Sequence, residues 1–279
     1  MKKALSLFLI LVLISGCASG KKTEAKITTP VEPLAVDSEE AVTGRTIHEQ
    51  ILQSFYPYTE PKVVAYVNRI GQSLAEHAER KELPYRFTIL YNDKIYATSA
   101  PGGYIYVTTG MLYFIESEAE LAAVLAHEVG ELQYKDPRLS QSRRMLGAVT
   151  QGGAVVLPAF GPLGMLAVVG LMAVHSAEEN KAGDFEGRIQ KADRRALHYM
   201  VEAGQDPQGM MSLFEQFANA NKEIAPYFLE YYQSRPISME RIHAMQKEFE
   251  RLPLAGKEFT AKPREYQEVM RGVRDMYKY

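Results

Sequence analysis

The sequence has one cysteine and no tryptophan among its 279 residues. A single cysteine cannot form an internal disulfide, so the folded chain must be stabilised by a hydrophobic core. The sequence also lacks an excess of basic residues, because 32 lysines and arginines stand against 34 acidic residues and give a net charge of -2. Proteins that bind nucleic acid carry basic patches that contact phosphates, so we expect no nucleic-acid partner.

The apolar run near the N-terminus is too short to cross a bilayer, since it covers residues 4–14 and a spanning helix needs about 20. Two lysines precede the run, and Ser15, Gly16 and Cys17 follow it. This pattern predicts a signal peptide over residues 1–16, with Cys17 as the lipidated first residue of the mature chain. The alternative is an ordinary signal peptide with an incidental cysteine.

The residue after Cys17 is Ala18 and not an aspartate, which by analogy with enteric sorting predicts the periplasmic side of the outer membrane. The inner membrane is the less favoured alternative. Residues 17–45 are rich in Ser, Thr, Lys, Glu and Pro, a composition that predicts a disordered tether after the lipidated cysteine. Residues 46–279 are long enough to form one large domain with its own core.

The pattern of this domain predicts an α+β fold that is mostly helical. Apolar residues recur at spacings of three and four over residues 60–80, which favours a helix. Ser117 stands three residues before Glu120 and predicts a capping box that opens a second helix. The other predicted elements are a small antiparallel sheet of residues 86–91, 95–98 and 104–108, and helices over 188–203, 208–220 and 238–251.

One long apolar segment, residues 145–174, contains no charged residue. Pro158 and Pro162 interrupt it, together with six glycines, so a single straight transmembrane helix is disfavoured. We predict a buried apolar helical hairpin. A lid or a membrane contact remains an alternative, because so large an apolar surface must be covered.

The stretch with the clearest chemistry is residues 126–131, Ala-His-Glu-Val-Gly-Glu. In a helix that reads His-Glu-x-x-His, two histidines one turn apart bind zinc and the glutamate between them activates the metal-bound water. Here His127 and Glu128 match the first pair, and Glu131 stands where the second histidine would be. Taken alone the match is weak, since a helix with such residues is usually a solvated face.

Residues 95–242 as a whole resemble the zinc metallopeptidase family that contains the CAAX prenyl proteases, the HtpX proteases and secreted bacterial lipoproteins. The resemblance implies a zincin-like domain of the gluzincin type, with zinc as the cofactor. The matching segments are residues 100–107, residues 118–128, Ala192-Asp193, Tyr199-Met200, Ala203-Gly204, Asp206-Pro207, Ser234-Arg235-Pro236 and Glu240-Arg241-Ile242.

The resemblance also implies roles for individual residues. His127 matches a zinc ligand, and Glu128 matches the general base. Asp193 matches an acid that contacts a ligand side chain and not the metal itself. An extended substrate would add its backbone to an edge strand of the sheet. The residues of that strand are Gly103, Tyr104, Ile105, Tyr106 and Val107.

Three positions differ in chemical type from the family pattern. Glu131 replaces the second ligand histidine, Ile189 replaces the third ligand, a glutamate, and Arg235 replaces a histidine placed near the substrate carbonyl. A carboxylate can bind zinc, whereas an isoleucine offers no lone pair. Glu186, three residues before Ile189, is a candidate substitute ligand, and Arg235 is a candidate to stabilise an oxyanion.

Two main functional hypotheses follow. The first is a periplasmic zinc metalloendopeptidase that acts on misfolded or unassembled envelope proteins. The second is an inactive pseudoprotease that binds the same proteins as a chaperone or adaptor, without zinc. A third and simpler hypothesis is a structural lipoprotein that associates with membranes through residues 145–174.

Overall fold

The computed structural model describes residues 38–134, 182–219, 237–259 and 263–278, with the backbone alone for residues 182–186. The described residues belong to one structural unit. They form eight α-helices and one three-stranded sheet. This confirms the predicted α+β class and its mostly helical character. The predicted hairpin at residues 145–174 and the predicted lipidation site, Cys17, lie outside the described residues.

The first helix, α1, spans Glu39–Ser54. It begins where the Ser38 hydroxyl accepts a hydrogen bond from the Ala41 amide, and acidic residues fill its first turn. The predicted tether reached residue 45, so its last part, residues 39–45, is helical and the prediction is wrong there. The polar composition of this segment suggested disorder because only one stripe of the helix is apolar. Ile47 and Ile51 lie on that stripe and are buried.

Helix α2 spans Pro61–Ala75 and ends before the predicted limit at Arg80. The Glu60 carboxylate caps its N-terminus by accepting from the Val63 amide at 2.8 Å. Pro61 is tolerated at the start of the helix because the amide hydrogen that proline lacks would have no partner within the first turn. The apolar residues that predicted the helix face the core: Val63, Val67, Ile70 and Leu74.

The sheet contains β1 (Arg86–Leu90), β2 (Ala97–Ala100) and β3 (Tyr104–Thr108) in the order β1-β3-β2. The strands β2 and β3 are antiparallel, whereas β1 and β3 are parallel. The predicted antiparallel sheet is therefore wrong for β1, and the sheet is mixed. Gly102 and Gly103 at positive φ close a tight β2–β3 turn, which leaves the other side of β3 for β1.

Helix α3 spans Thr109–Phe114 and leads into α4, Glu118–Glu131, the central helix. The Ser117 hydroxyl accepts from the Glu120 amide at 3.2 Å, as the capping pattern predicted. The Glu120 carboxylate accepts from the Glu116 amide, one residue earlier than the usual partner of a capping box. Almost all of α4 is buried, because helices and the sheet pack around it.

The remaining helices are α5 (Ala182–Glu202), α6 (Gln208–Asn219), α7 (Met239–Phe249) and α8 (Pro263–Asp275). Helix α5 ends where Gly204 adopts a φ of 71°, the left-handed conformation that terminates many helices. Helices α5 and α6 pack on α4, and α7 packs on both of them. In the described parts of the chain, no helix is long and apolar enough to span a membrane.

Candidate metal centre

The imidazole of His127 lies near the C-terminal end of α4 and is 3% exposed. Its Nδ1 is 2.7 Å from Oδ1 of Asp193 on α5. A carboxylate in this position fixes the ring and leaves the lone pair of Nε2 available, an arrangement common among metal-binding histidines. Nε2 is buried and finds no hydrogen-bond partner among the described residues.

Asp193 is fully buried and is also bound by Arg241 of α7. The Arg241 Nε donates to Oδ2 at 2.7 Å, and a second guanidinium nitrogen donates to Oδ1 at 2.9 Å. Burial alone would raise the pKa of Asp193, but the Arg241 charge and the His127 contact outweigh it and hold the pKa well below its usual range. Asp193 is therefore an anion that joins α4, α5 and α7.

The close approach of α4 and α5 depends on Gly130. A Cβ at this position would lie 2.7 Å from the backbone oxygen of Ala192, closer than real Cβ contacts come. Because a glycine stands here, the two helix backbones pack against each other directly. This packing places His127 within hydrogen-bond distance of Asp193.

The two glutamates of the motif have different surroundings. Glu128 is fully buried beside His127. Glu131 lies one turn along α4 from His127, and its side chain is 15% exposed. Its Oε2 is 3.6 Å from a guanidinium nitrogen of Arg188 on α5, while its Oε1 has no hydrogen-bond partner in the part of the chain that is described.

The third predicted ligand position is apolar. Ile189 is 3% exposed and lies in α5 one turn before Asp193. The candidate substitute Glu186 is also in α5, but its side chain is outside the described residues, as is Arg235. Their predicted roles stay predictions.

The described donor set does not fit a catalytic zinc ion. Such a site has three protein ligands, and the described residues bring only His127 and Glu131 to this position. Among residues 38–134, 187–219, 237–259 and 263–278, no three His, Cys, Asp or Glu side chains are grouped so that they could hold a metal ion. No step of zinc chemistry follows from this set.

A small, mostly apolar cavity borders His127, Asp193 and Arg241. Its other walls come from α4, α6 and the start of α7. The wall residues are Ala123, Val124, Met210, Leu213, Phe214, Phe217 and Ile237.

The structure corrects the predicted substrate strand. The strand β3, with Tyr104, Ile105, Tyr106 and Val107, lies between β1 and β2, so it is the central strand of the described sheet. A central strand has both backbone edges paired and cannot accept a further strand. Gly103, which precedes β3, also has its carbonyl occupied, because this carbonyl accepts a hydrogen bond from the Arg86 amide at 2.8 Å.

Two residues of the site were not predicted from the sequence. Arg241 falls in a segment that carried the family resemblance, and that was its only signal. For Arg188 the only signal in the sequence was its position next to Ile189. Both are arginines on helices, and a charged residue in a helix predicts a solvated face unless its buried partner is known.

A buried helix with an adjacent His-Glu pair, and an acid from another helix behind the histidine, is the framework of a zinc metallopeptidase. Comparison with family models gives the same class. The model of peptidase family M48 matches residues 61–249, and the chain belongs to this family of zinc metallopeptidases.

This chain matches only part of the length of its relatives. The beta-barrel assembly-enhancing protease of Yersinia pestis is 26% identical over 217 residues, 76% of this chain and 42% of that protein. The protein of the same name from Escherichia coli K12 is 25% identical over 67% of this chain and 37% of its own length. The mitochondrial metalloendopeptidase OMA1 of Schizosaccharomyces pombe is 24% identical over 71% and 55%. The chain thus spans about two fifths of the bacterial relatives it matches.

Proposed function

We propose that this M48-family protein acts on misfolded or unassembled proteins of the bacterial envelope, with outer-membrane β-barrel proteins as its main clients. The proposal rests on membership of a family of proteases and on bacterial relatives named for β-barrel assembly. The domain is a zincin-like scaffold of the gluzincin type, from the lipoprotein branch of the family. Its mode of action depends on the metal centre.

Binding without zinc-dependent cleavage is the mode that the site supports best. The observation that carries it is Ile189, a buried aliphatic side chain at the third ligand position. Two donors, His127 and Glu131, give a zinc ion poor affinity and geometry, so Glu128 has little to activate. The client would be held as an extended segment, as a chaperone or adaptor holds it.

The strand β2 is the better candidate to bind an extended client. It lies at an edge of the described sheet and contacts α4, the helix that carries His127. An extended peptide beside β2 would be positioned over the motif.

Zinc-dependent endopeptidase activity is the second candidate, and one observation favours it. The Nε2 atom of His127 is buried without a partner among the described residues, although its ring is already oriented by Asp193. An unpartnered buried nitrogen is costly and typically has a ligand. In this candidate, zinc would need a third donor such as Glu186.

One assay separates the two candidates. The mature protein is mixed with a labelled, unfolded β-barrel protein, with and without a chelator, and binding and cleavage products are both measured. We expect binding of equal affinity in both conditions and no cleavage, and Glu128→Gln should behave as the wild type. Exposed Glu268→Gln on α8 is the matched control.

The alternative outcomes are distinct. Cleavage that stops with the chelator and in Glu128→Gln would establish the endopeptidase. A chain that neither binds nor cleaves unfolded envelope proteins would sink the proposed function in both forms.

We also propose that Cys17 is lipidated and anchors the chain to the periplasmic face of the outer membrane. The support is the sequence pattern around Cys17. Labelling cells with a radioactive fatty acid should mark the wild-type protein and leave Cys17→Ser unlabelled. Label that persists in Cys17→Ser would exclude this anchor, and recovery with the inner membrane would correct the location.

A further inference from the structure

Two polar contacts between described side chains link α4 and α5 across the candidate site. One joins His127 to Asp193 at 2.7 Å. The other joins Glu131 to Arg188 at 3.6 Å, with side chains that are 15% and 23% exposed. The spacing along both helices is that of neighbouring turns, so Glu131 and Arg188 lie beside the His127 contact.

Arg188 is held in place by its surroundings. The centre of its guanidinium group lies 5.2 Å from the centre of the Tyr134 ring, and Tyr134 donates a hydrogen bond to the Arg188 carbonyl at 3.4 Å. Arg195 of the same helix also lies over the Tyr134 ring, at 4.9 Å. A guanidinium ordered by an aromatic ring loses less conformational entropy when it pairs with a carboxylate.

This pair competes directly with a metal ion. A divalent cation on Nε2 of His127 would need the Glu131 carboxylate as its second donor. That carboxylate already faces a cation, and a guanidinium cannot release its proton to make room. The neighbouring Ile189 offers no compensating donor, so the exchange of Arg188 for a metal would leave a partly buried arginine unpaired.

We propose that Arg188 takes the place of a bound metal ion as the cation that links the Glu131 carboxylate of α4 to α5. The Arg188–Glu131 pair then keeps a divalent metal from the carboxylate that it would need as its second donor. This goes beyond the proposed function, because it concerns what holds the two helices together and applies whichever client is bound.

The first test measures metal in the wild-type mature protein, after incubation with excess zinc and dialysis. We expect less than about 0.1 zinc per chain, and the same Tm with zinc or with a chelator, since a ligand that does not bind the native state cannot raise its stability. The triple variant Glu131→His, Arg188→Ala, Ile189→Glu should retain about one zinc per chain. Zinc should raise its Tm by about 5 °C or more.

The second test removes the proposed cation. Arg188→Met keeps much of the apolar stem and should lower Tm by about 2 °C, as expected for a partly exposed pair. Lys191→Met on the exposed side of α5 is the matched control and should leave Tm unchanged. In Glu131→Gln, Arg188→Met should have no further effect, because its partner is already neutral.

Either test can overturn the proposal. Stoichiometric zinc in the wild-type protein would show that the pair does not exclude a metal. Equal Tm values for Arg188→Met and Lys191→Met would show that the pair links nothing. Neither outcome depends on client binding, so failure of this inference is distinguishable from failure of the proposed function.

Discussion

At the scale of single residues, Asp193 connects most of the site. It is a fully buried anion that contacts a guanidinium and an imidazole, each from a different helix. A buried charge is costly unless it is paired and hydrogen-bonded. The Asp193 carboxylate has three such contacts, one from His127 and two from the guanidinium nitrogens of Arg241. The orientation of His127 therefore depends on Arg241 as well, through the carboxylate that both residues contact.

Replacement of Asp193 tests this dependence. Asp193→Asn removes the negative charge that the Arg241 guanidinium faces, and this guanidinium is only 3% exposed. We expect the free energy of unfolding to fall by about 3–5 kcal/mol, the usual cost of breaking a buried pair from one side. Urea unfolding measures the change. Asp275→Asn, which breaks an exposed pair with Lys278, should cost less than about 1 kcal/mol.

The same residue predicts a pH dependence. The pKa of Asp193 is lowered in the folded state, chiefly because the Arg241 charge outweighs burial. Its stabilisation is therefore fully present above the unfolded pKa, about 4, and is lost as pH falls toward the folded pKa. The difference in urea midpoint between wild type and Asp193→Asn should shrink from pH 6 to pH 3. A constant difference would contradict the assignment.

At the scale of elements, the packing of α4 against α5 determines the site. Gly130→Ala should place a methyl group 2.7 Å from the Ala192 oxygen and force the helices apart, at a cost of roughly 1–3 kcal/mol. Gly187→Ala in α5 is the matched control, because no described atom outside its own helix backbone lies within 4 Å of its Cβ position. That change should be neutral or stabilising by up to about 1 kcal/mol, since alanine favours a helix. Thermal unfolding of both variants measures the difference, and equal effects would contradict the close approach.

The sequence predicted the elements whose pattern lies within one short segment, and it failed where distant segments decide the structure. The bounds of α4 followed from Ser117 and from the apolar run after it, because caps and periodicity are properties of a short segment. The parallel pairing of β1 with β3 did not follow, since strand order is decided by the tight turn at Gly102 and Gly103 and by the packing of distant elements. The edge-strand prediction failed for the same reason.

Three of the described helices, α1, α3 and α8, were not predicted from the sequence. Helix α3 has only six residues, and α8 is polar on most of its surface. Tyr266 of α8 is nevertheless fully buried and donates to the Ile115 carbonyl at 3.0 Å. For the site, the pattern found His127 and Asp193 because a family motif spaces them, whereas the pairing of Arg188 with Glu131 depends on how two helices face each other.

At the scale of the whole described fold, α1 is joined to the rest by a buried ionic contact. Arg80 binds the Glu40 carboxylate through two nitrogens, at 3.0 and 2.6 Å, and also donates to the Leu132 carbonyl just after α4. Gly102 in the β2–β3 turn donates to the same Glu40 carboxylate at 3.3 Å. One carboxylate of α1 thus connects the end of α4 to the sheet.

This contact predicts where the folded domain begins. A chain that starts at Ser38 should keep the Tm of the mature protein. A chain that starts at residue 46 loses Glu40, and among the described residues the Arg80 guanidinium, with a side chain 8% exposed, then keeps only the more exposed Glu82 as an ion-pair partner. The loss of a buried partner costs about 3–5 kcal/mol and should lower Tm by on the order of 10 °C. Glu40→Gln in the longer chain should reproduce part of this loss, and exposed Glu39→Gln should not. If the two chains melt together, residues 38–45 belong to the tether after all, and the link from α1 to the end of α4 contributes nothing to the fold.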